Sequence, residues 1–593
     1  MKLTGAKIIA RTLKEFGVEY VAGIPGHGAW TFLDGFLDDE SKIPVIQVFH
    51  EQSAVHLADG YFRATGRPMA AFTSIGPGAT NTVIGMATAY ADSSAVLLLT
   101  GGPHTHMVGN GIMQELERKQ DNAFPEVLAP VTKRHWVANR ADKLPSILHR
   151  AFSAMLTGRP GPVHIEIAMD VQADAADVEI PKLHERLPVG KIYPDPEAVS
   201  QAVALLAGAK RPVIVVGGGA LLGNASEAVF ELATKLKIPV VTTYNGKSTF
   251  PEDHELFGGD IGYIGSTSGN KLSADADVVL SIGNRFTDWS ASSYRKGATF
   301  SFPPAKLIQI DIDPHEIGKN YPVAVGIVAD AVPAVSLIAA QSEAVANRDD
   351  YLAEVVRLRQ EWKEKLAPRL DSDASPMTSQ RPLKGLREIL PRDAIVVAGS
   401  GNAQGTVKQT FEVYEPKTHF TSGSFSPMGW AVPAAMGVKL GRPDKTVVCI
   451  VGDGEFLMGI QEIGVAVTHN IPVVFLVQNN SGYISIRGGQ RKITGRFVAS
   501  EFATADGKPY SPDYLAIGKA FGLKTWRAET PEEVDRYLKE AIESGEPAIV
   551  EAMTARDAAG PFVPGWWDLP VSADITDERQ DEYWEGRNLQ QHL

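Results

Sequence analysis

The chain carries a carboxylate and an amide at a spacing that suits a metal ion. Gly452-Asp453-Gly454 ends one apolar run, Thr446-Val447-Val448-Cys449-Ile450-Val451. A helix-like stretch leads to a second run, Ile471-Pro472-Val473-Val474-Phe475-Leu476-Val477, which ends in Gln478-Asn479-Asn480-Ser481-Gly482. Both runs are too apolar to have a wet face, as the strands of a buried parallel sheet are. A strand–helix–strand unit brings Asp453 and Asn480 side by side at the carboxyl edge of that sheet, where open α/β sheets bind ligands. Hard oxygen ligands with room left for waters and phosphate oxygens suit Mg²⁺. Gly454 is expected to let the backbone approach a diphosphate at the start of the next helix, whose amides favour an anion. Gly-Asp-Gly and Asn-Asn are also common in plain turns, but the strand context favours the metal.

A second candidate is Glu51. It follows the apolar strand Pro44-Val45-Ile46-Gln47-Val48-Phe49, and a helix with Ala54, Leu57, Ala58 and Phe62 on one face comes next. A glutamate just past a strand is usually solvated or salt-bridged. The third feature is Thr421-Ser422-Gly423-Ser424-Phe425-Ser426-Pro427-Met428-Gly429-Trp430, in which a lone methionine after a turn would ordinarily be core.

The elements that must position these residues alternate between strand and helix along most of the chain, which implies doubly wound parallel sheets. The 593 residues are enough for three or four domains. An N-terminal unit over 1–185 ends in Gly158-Arg159-Pro160-Gly161-Pro162-Val163-His164-Ile165-Glu166-Ile167. Periodicity is lost over 171–195, which reads as a linker. A central unit over 186–370 opens on Val213-Ile214-Val215-Val216-Gly217-Gly218-Gly219, a weak nucleotide signal because it is not GxGxxG. A third unit over 371–555 contains Gly399-Ser400-Gly401-Asn402-Ala403-Gln404 after its first strand, small and polar where a diphosphate would lie. The tail, 556–593, is aromatic (Trp566, Trp567, Trp584), which argues for packing onto the body or over a cleft.

Composition bounds the partners. Hydrophobic content of 44% and charged content of 21% are ordinary for a globular protein. A net charge of −13 argues against a nucleic-acid partner. Cys449 is the one cysteine, so no disulfide forms within the chain. Neither a signal peptide nor an 18-residue apolar run is evident, so no membrane role and a cytoplasmic location are expected.

The GDG…NN stretch resembles the thiamine-diphosphate signature. The segment from Phe49 to Arg63, followed by Thr73-Ser74-Ile75-Gly76-Pro77-Gly78-Ala79-Thr80-Asn81, looks like the pyrimidine-binding domain of the acetolactate synthase-like thiamine enzymes. The resemblance covers about residues 1–555. It implies thiamine diphosphate with Mg²⁺, and Asp453, Asn480 and Gly482 as metal ligands. For the cofactor it implies Gly26, Gly76, Asn81, Ser400, Asn402, Gln404, Ser426, Met428, Gly452, Gly454, Glu455, Phe456, Tyr483 and Ile484. It implies catalytic roles for Glu51, Met428 and Gln114. Glu51 would hydrogen-bond the pyrimidine N1′, and a carboxyl kept out of water can hold and return a proton near neutrality. Met428 would wedge the cofactor into the bent conformation that brings its 4′-nitrogen to the thiazolium C2. Chemistry at C2 then attacks a carbonyl and accepts the electron pair of a breaking carbon–carbon bond. The resemblance also implies a homodimer or homotetramer with sites shared between subunits.

Two places depart from acetolactate synthases. A Gln-Trp pair is missing after the NN motif, where Tyr483-Ile484-Ser485-Ile486-Arg487-Gly488-Gly489-Gln490 stands. Arg285-Phe286-Thr287-Asp288-Trp289 replaces an Asp-Asp-Arg in the central unit. No bound FAD is therefore expected, although an ADP or coenzyme A moiety could sit there. Arg487, Arg491, Lys492 and Arg496 place four cations just beyond the metal motif, either a solvated face or a mouth for an anionic substrate, with Trp566 and Trp567 as a lid. This pattern points to a 2-hydroxyacyl-CoA lyase that releases a carbonyl compound and formyl-CoA, reversibly. The alternatives are a 2-oxo-acid decarboxylase or carboligase and, from another class, a catalytically silent nucleotide-binding regulator.

Overall fold

The structure is a computed structural model that describes residues 1–117, 123–188, 190–345, 347–556 and 560–591. Three six-stranded, all-parallel sheets follow one another along the chain. In the first, the spatial order is Val45–Gln47, Val21–Gly23, Met69–Thr73, Val96–Gly102, Val163–Ala168, Arg134–Ala138. In the third it is His419–Thr421, Ile395–Ala398, Val447–Gly452, Val474–Asn479, Ala548–Met553, Lys524–Ala528. Numbered within each sheet, both read 2-1-3-4-6-5. The central sheet instead runs Phe257–Asp260, Val240–Thr242, Pro212–Val216, Val278–Ile282, Lys306–Asp311, Val325–Val328, or 3-2-1-4-5-6. In every case the order reverses beside the first strand, and the crevice at that edge is where such sheets take ligands.

The first and third sheets are joined by helices that occupy equivalent places, each following its sheet's second strand. Helix Glu51–Thr65 crosses helix Ala431–Gly441 with no side chain between the two backbones at the contact. A Cβ on Gly60 would collide with the Ala434 carbonyl, and one on Gly437 with the Leu57 carbonyl. One continuous core results, running from Leu57, Ala58 and Tyr61 to Trp430, Val432 and Phe475. Burying it drives the two sheets together, at about 25 cal/mol per Å² of apolar surface.

The stretch 171–195 is only partly a linker. Met169–Ala173 is helical and Ala175–Asp177 pairs antiparallel with Lys2–Thr4, closing the N-terminal unit with backbone hydrogen bonds that have no hydrophobic signature. Cys449 is buried in the third sheet, and burial pushes its thiol well above the ordinary value. Among the described residues, no helix is long and apolar enough to cross a membrane.

Candidate functional site

At the carboxyl edge of the third sheet, adjacent strands Val447–Gly452 and Val474–Asn479 deliver Asp453 and Asn480. Asp453 is 1% exposed. Its Oδ2 accepts the Gly482 N–H at 3.1 Å, while Oδ1 is buried and has no partner. Asn480 donates Nδ2 to Thr554 Oγ1 at 3.4 Å, and its Oδ1 is likewise buried without a partner. An orphaned buried acceptor is costly, and two of them at the ends of adjacent strands fit a hard cation. Burial raises the Asp453 carboxyl to about 7, against the lowering effect of the Gly482, Gly454 and Ser481 amides. A bound cation would reverse that shift by favouring the carboxylate. Among the described residues, no group of three or more His, Cys, Asp and Glu side chains could hold a metal. A cation here therefore draws on an amide, backbone carbonyls and the oxygens of a ligand. Asn479, the neighbour in the motif, serves the fold: its Nδ2 bonds Glu551 Oε1 at 2.6 Å and Ser511 Oγ at 2.8 Å.

The close approach that demands Gly454 is by a side chain. A Cβ there would fall 2.7 Å from the Tyr483 ring, which excludes a larger residue at this position. Gly452 has open space around it, and Gly482 is pressed by the Ser500 carbonyl, 2.6 Å from an added Cβ. Tyr483 stacks edge-on against Phe502 with centroids 4.9 Å apart, and Ile484 opens the helix Ile484–Ile493. Phe456 is fully buried against Tyr514 and Phe475, so its side chain belongs to the core and only its backbone could meet a cofactor. Glu455 is 3% exposed and braces loops: it accepts the Ser400 N–H and the Ala431 N–H. Burial raises its carboxyl to about 7, opposed by the amides of Ala431, Ser400, Gly429 and Trp430.

The small polar residues converge beside this edge. Ser400 Oγ donates to the carbonyls of Ser426 at 3.1 Å and Pro427 at 2.8 Å. Gln404 bonds Thr421 Oγ1 at 2.6 Å and receives Ser426 Oγ at 3.4 Å. Asn402 begins the helix Asn402–Thr410, and Gly560 of the tail lies against its amide. Ser426 has φ 49° and Gly429 φ 86°, so the loop that carries Met428 is held in the left-handed region at two points. Met428 is half-buried at its tip.

At the first sheet's edge, Glu51 is half-buried at the start of its helix and its Oε2 accepts Asn81 Nδ2 at 2.9 Å. Its Oε1 lies 3.0 Å from where a Cβ on Gly78 would sit. Gly26 abuts Ser74, whose Oγ receives the Gly28 N–H at 3.1 Å. Gly76, at φ 66°, lies against the backbone of Gln114, itself exposed with φ 69°. Glu51, Gly26, Gly76, Asn81 and Gln114 therefore share one edge, as Asp453, Asn480, Ser400, Ser426 and Met428 share the other.

The basic cluster does not form one open patch. Arg487 is buried, pairs with Glu501 and lies 4.1 Å from the Phe497 ring centroid, while Arg491 faces the same ring at 5.7 Å. Lys492 sits on the same helix, near its C-terminal end. Trp566 packs on Gly586 of helix Glu578–Asn588. Trp567 donates Nε1 to Asp288 Oδ2 at 3.0 Å and packs on Trp289 and Tyr263, beside the central domain. There it lines a cavity of about 980 Å³ between the three domains, with Gly217, Gly218, Gly219, Arg159 and Arg285. Sequence reasoning passed over Asp92 at this cavity and met Arg159 and Arg285 only as members of longer motifs, with no role of their own. One signal was available: Asp92 caps the C-terminus of helix Val83–Ala91, where the dipole disfavours an acid and a compensating cation must be near.

The chain matches the N-terminal TPP binding domain of thiamine pyrophosphate enzymes over residues 3–122, their central domain over 199–338 and their C-terminal TPP binding domain over 399–552. It belongs to that family, and is an enzyme of thiamine-diphosphate-dependent carbon–carbon bond chemistry. It is 35% identical over 574 residues to the "Probable acetolactate synthase large subunit" of Methanocaldococcus jannaschii, covering 95% of this chain and 94% of that one. It is 32% identical to the acetolactate synthase large subunit of Haemophilus influenzae, covering 91% and 92%, and 30% identical to the isozyme 3 large subunit of Escherichia coli, also 91% and 92%. None of these three is named as an acyl-CoA lyase, so the expectation of a 2-hydroxyacyl-CoA lyase finds no support and the carboligase alternative is favoured.

Proposed function

We propose that the chain is a carboligase of 2-oxo acids, which releases CO₂ from one and joins the remaining acyl group to the carbonyl of a second. The observation that carries the cofactor half of this reading is the pair of orphaned oxygens, Asp453 Oδ1 and Asn480 Oδ1, at a switch-point edge. The substrate half is supported by the names of the relatives. Bound here, thiamine diphosphate supplies an electron sink for the bond that breaks and a nucleophilic carbon for the bond that forms. Asp453, Asn480 and the Gly482 carbonyl would hold Mg²⁺. Ser400, Gln404 and Ser426 line the diphosphate side. Glu51 would hold and return a proton at N1′ of the pyrimidine, and Met428 would pack against the cofactor from its loop. Asp453 and Asn480 come from one chain and Glu51 from its partner, in a homodimer or homotetramer in the cytoplasm. Residues 1–185, 186–370 and 371–555 are the three functional units.

The test is a panel of 2-oxo acids and 2-hydroxyacyl-CoA thioesters, incubated with thiamine diphosphate and Mg²⁺ and read by mass spectrometry. A product with the carbons of two 2-oxo acids less one CO₂ is expected, and formyl-CoA from a thioester would restore the lyase. A second reading concerns the cavity between the domains. Its arginines and the Trp289–Trp567 pair, with ring centroids 5.3 Å apart, suit an ADP or coenzyme A moiety. The purified protein is expected to be colourless; a stoichiometric flavin spectrum would assign the cavity to FAD instead.

A further inference from the structure

We propose that Asp92 is a positioning residue for the Met428 loop, fixing it from the N-terminal domain across the junction of all three domains. This rests on the reading above of Met428 as the residue that shapes the cofactor. The Asp92 side chain is 1% exposed. Its Oδ1 receives the Ser424 N–H at 3.1 Å and Asn245 Nδ2 at 2.9 Å, one from the third domain and one from the central domain. Two guanidinium groups hold its charge: Arg63 Nη2 lies at 3.5 Å and Arg285 Nη2 at 3.5 Å. Each cation is also tied to the loop or its root. Arg63 Nη1 donates to the Thr421 carbonyl at 2.8 Å, and Arg285 Nη2 to Ser424 Oγ at 3.2 Å.

Gly423 makes the fit specific. It has φ 72°, and any Cβ there would collide with Asp92 Oδ2, so the carboxylate occupies the space a side chain would take. On its far side the same loop is held by Ser400 Oγ, bonded to the Ser426 and Pro427 carbonyls. Gly423 and Gly429 take positive φ freely, but Ser426 at φ 49° is strained and keeps that conformation only while its surroundings hold the loop. Asp92 and Ser400 are the clamps. Ser400 lies in the loop's own domain, whereas Asp92, with Arg63 and Arg285 beside it, ties the loop to the N-terminal and central domains, so the height of Met428 depends on how those domains sit.

The test uses Asp92→Asn, which keeps size and one acceptor but loses the charge that organises Arg63 and Arg285. Two readouts are taken: amide hydrogen exchange of residues 422–429 in the cofactor-free full chain, and C2 proton exchange of thiamine diphosphate by NMR at saturating cofactor. Exchange of the 422–429 amides should rise about tenfold, and C2 exchange should fall about tenfold or more, since a shift of about 1 Å in a positioned group costs as much as a hundredfold. Asn245→Ala should move both readouts the same way by a smaller factor, and it decides the matter if Asp92→Asn does not fold. Unchanged loop protection in a folded variant overturns the proposal, as does lost protection with wild-type C2 exchange. Met428→Ala is the control. If it leaves C2 exchange at the wild-type rate, the role given to Met428 fails, while the amide data still decide whether Asp92 holds the loop.

Discussion

The two ligand-binding edges are built on the same strand order but finished differently. The edge with Asp453 is deep: the carboxylate is 1% exposed, its amide partner Gly482 is in place, and Asp453 Oδ1 and Asn480 Oδ1 are buried without a hydrogen-bond partner. The edge with Glu51 is shallow: the carboxylate is half-buried, with exposed Asn81 and Gln114 around it. The contrast separates two kinds of work. Gripping a metal and a diphosphate, the work proposed for the deep edge, needs a rigid, preorganised pocket, and one chain carries all its proposed ligands. Shuttling a proton at N1′ needs a carboxyl kept out of water, and one chain leaves Glu51 only partly covered. Within the chain, the two sheets meet through Glu51–Thr65 and Ala431–Gly441, and in the proposed assembly a second copy completes their ligand edges.

Breaking the deep edge has the largest expected effect. Asp453→Ala removes the charged ligand of the metal, and retention of thiamine diphosphate through gel filtration should fall about a hundredfold or more. Full retention with unchanged activity would refute the metal assignment. Breaking the shallow edge should separate binding from chemistry. Glu51→Gln should retain cofactor while C2 proton exchange, read by NMR, slows by about 10²-fold or more, because an amide cannot relay the proton.

A gentler perturbation is pH. The Asp453 carboxyl stands at about 7, above its ordinary 3.8, because of burial. A proton therefore competes with the metal below about 7, and Mg²⁺-dependent cofactor affinity should fall up to about tenfold per pH unit there and level off above it. In the metal-free protein the sign reverses. The folded state holds this proton more tightly than the unfolded chain, so its contribution to stability is present below 3.8 and is lost as pH rises to about 7. Calorimetry with and without Mg²⁺ and cofactor separates the two.

How much of this was legible depended on distance along the chain. Strand runs and the Gly-Asp-Gly and Asn-Asn turns write their positions into local pattern, so Asp453 and Asn480 could be placed on one edge from the sequence. Glu51 needed a family resemblance, since a glutamate after a strand has no distinctive spacing. What no pattern marks is contact between distant segments. Tyr483 filling the space beside Gly454, Glu501 pairing with Arg487, and Trp567 settling on Trp289 all depend on tertiary packing. The basic cluster shows the same limit: Arg487 is buried and paired with Glu501, while Arg491, Lys492 and Arg496 are exposed, and a charge run carries no record of such partners. The difference between lyase and carboligase was less legible still, since it rests on a substrate pocket and not on the cofactor motifs.

The central claim, that a deep half-site from one chain is completed by a shallow half-site from another, is tested most directly by complementation. Glu51→Gln and Asp453→Ala chains carrying different tags are co-expressed and purified through both tags. In a two-fold dimer one site then receives both intact residues and the other both lesions, so activity should return to about half of wild type per dimer. No activity in a verified mixed dimer, or a monomer that stays fully active on dilution, would contradict it.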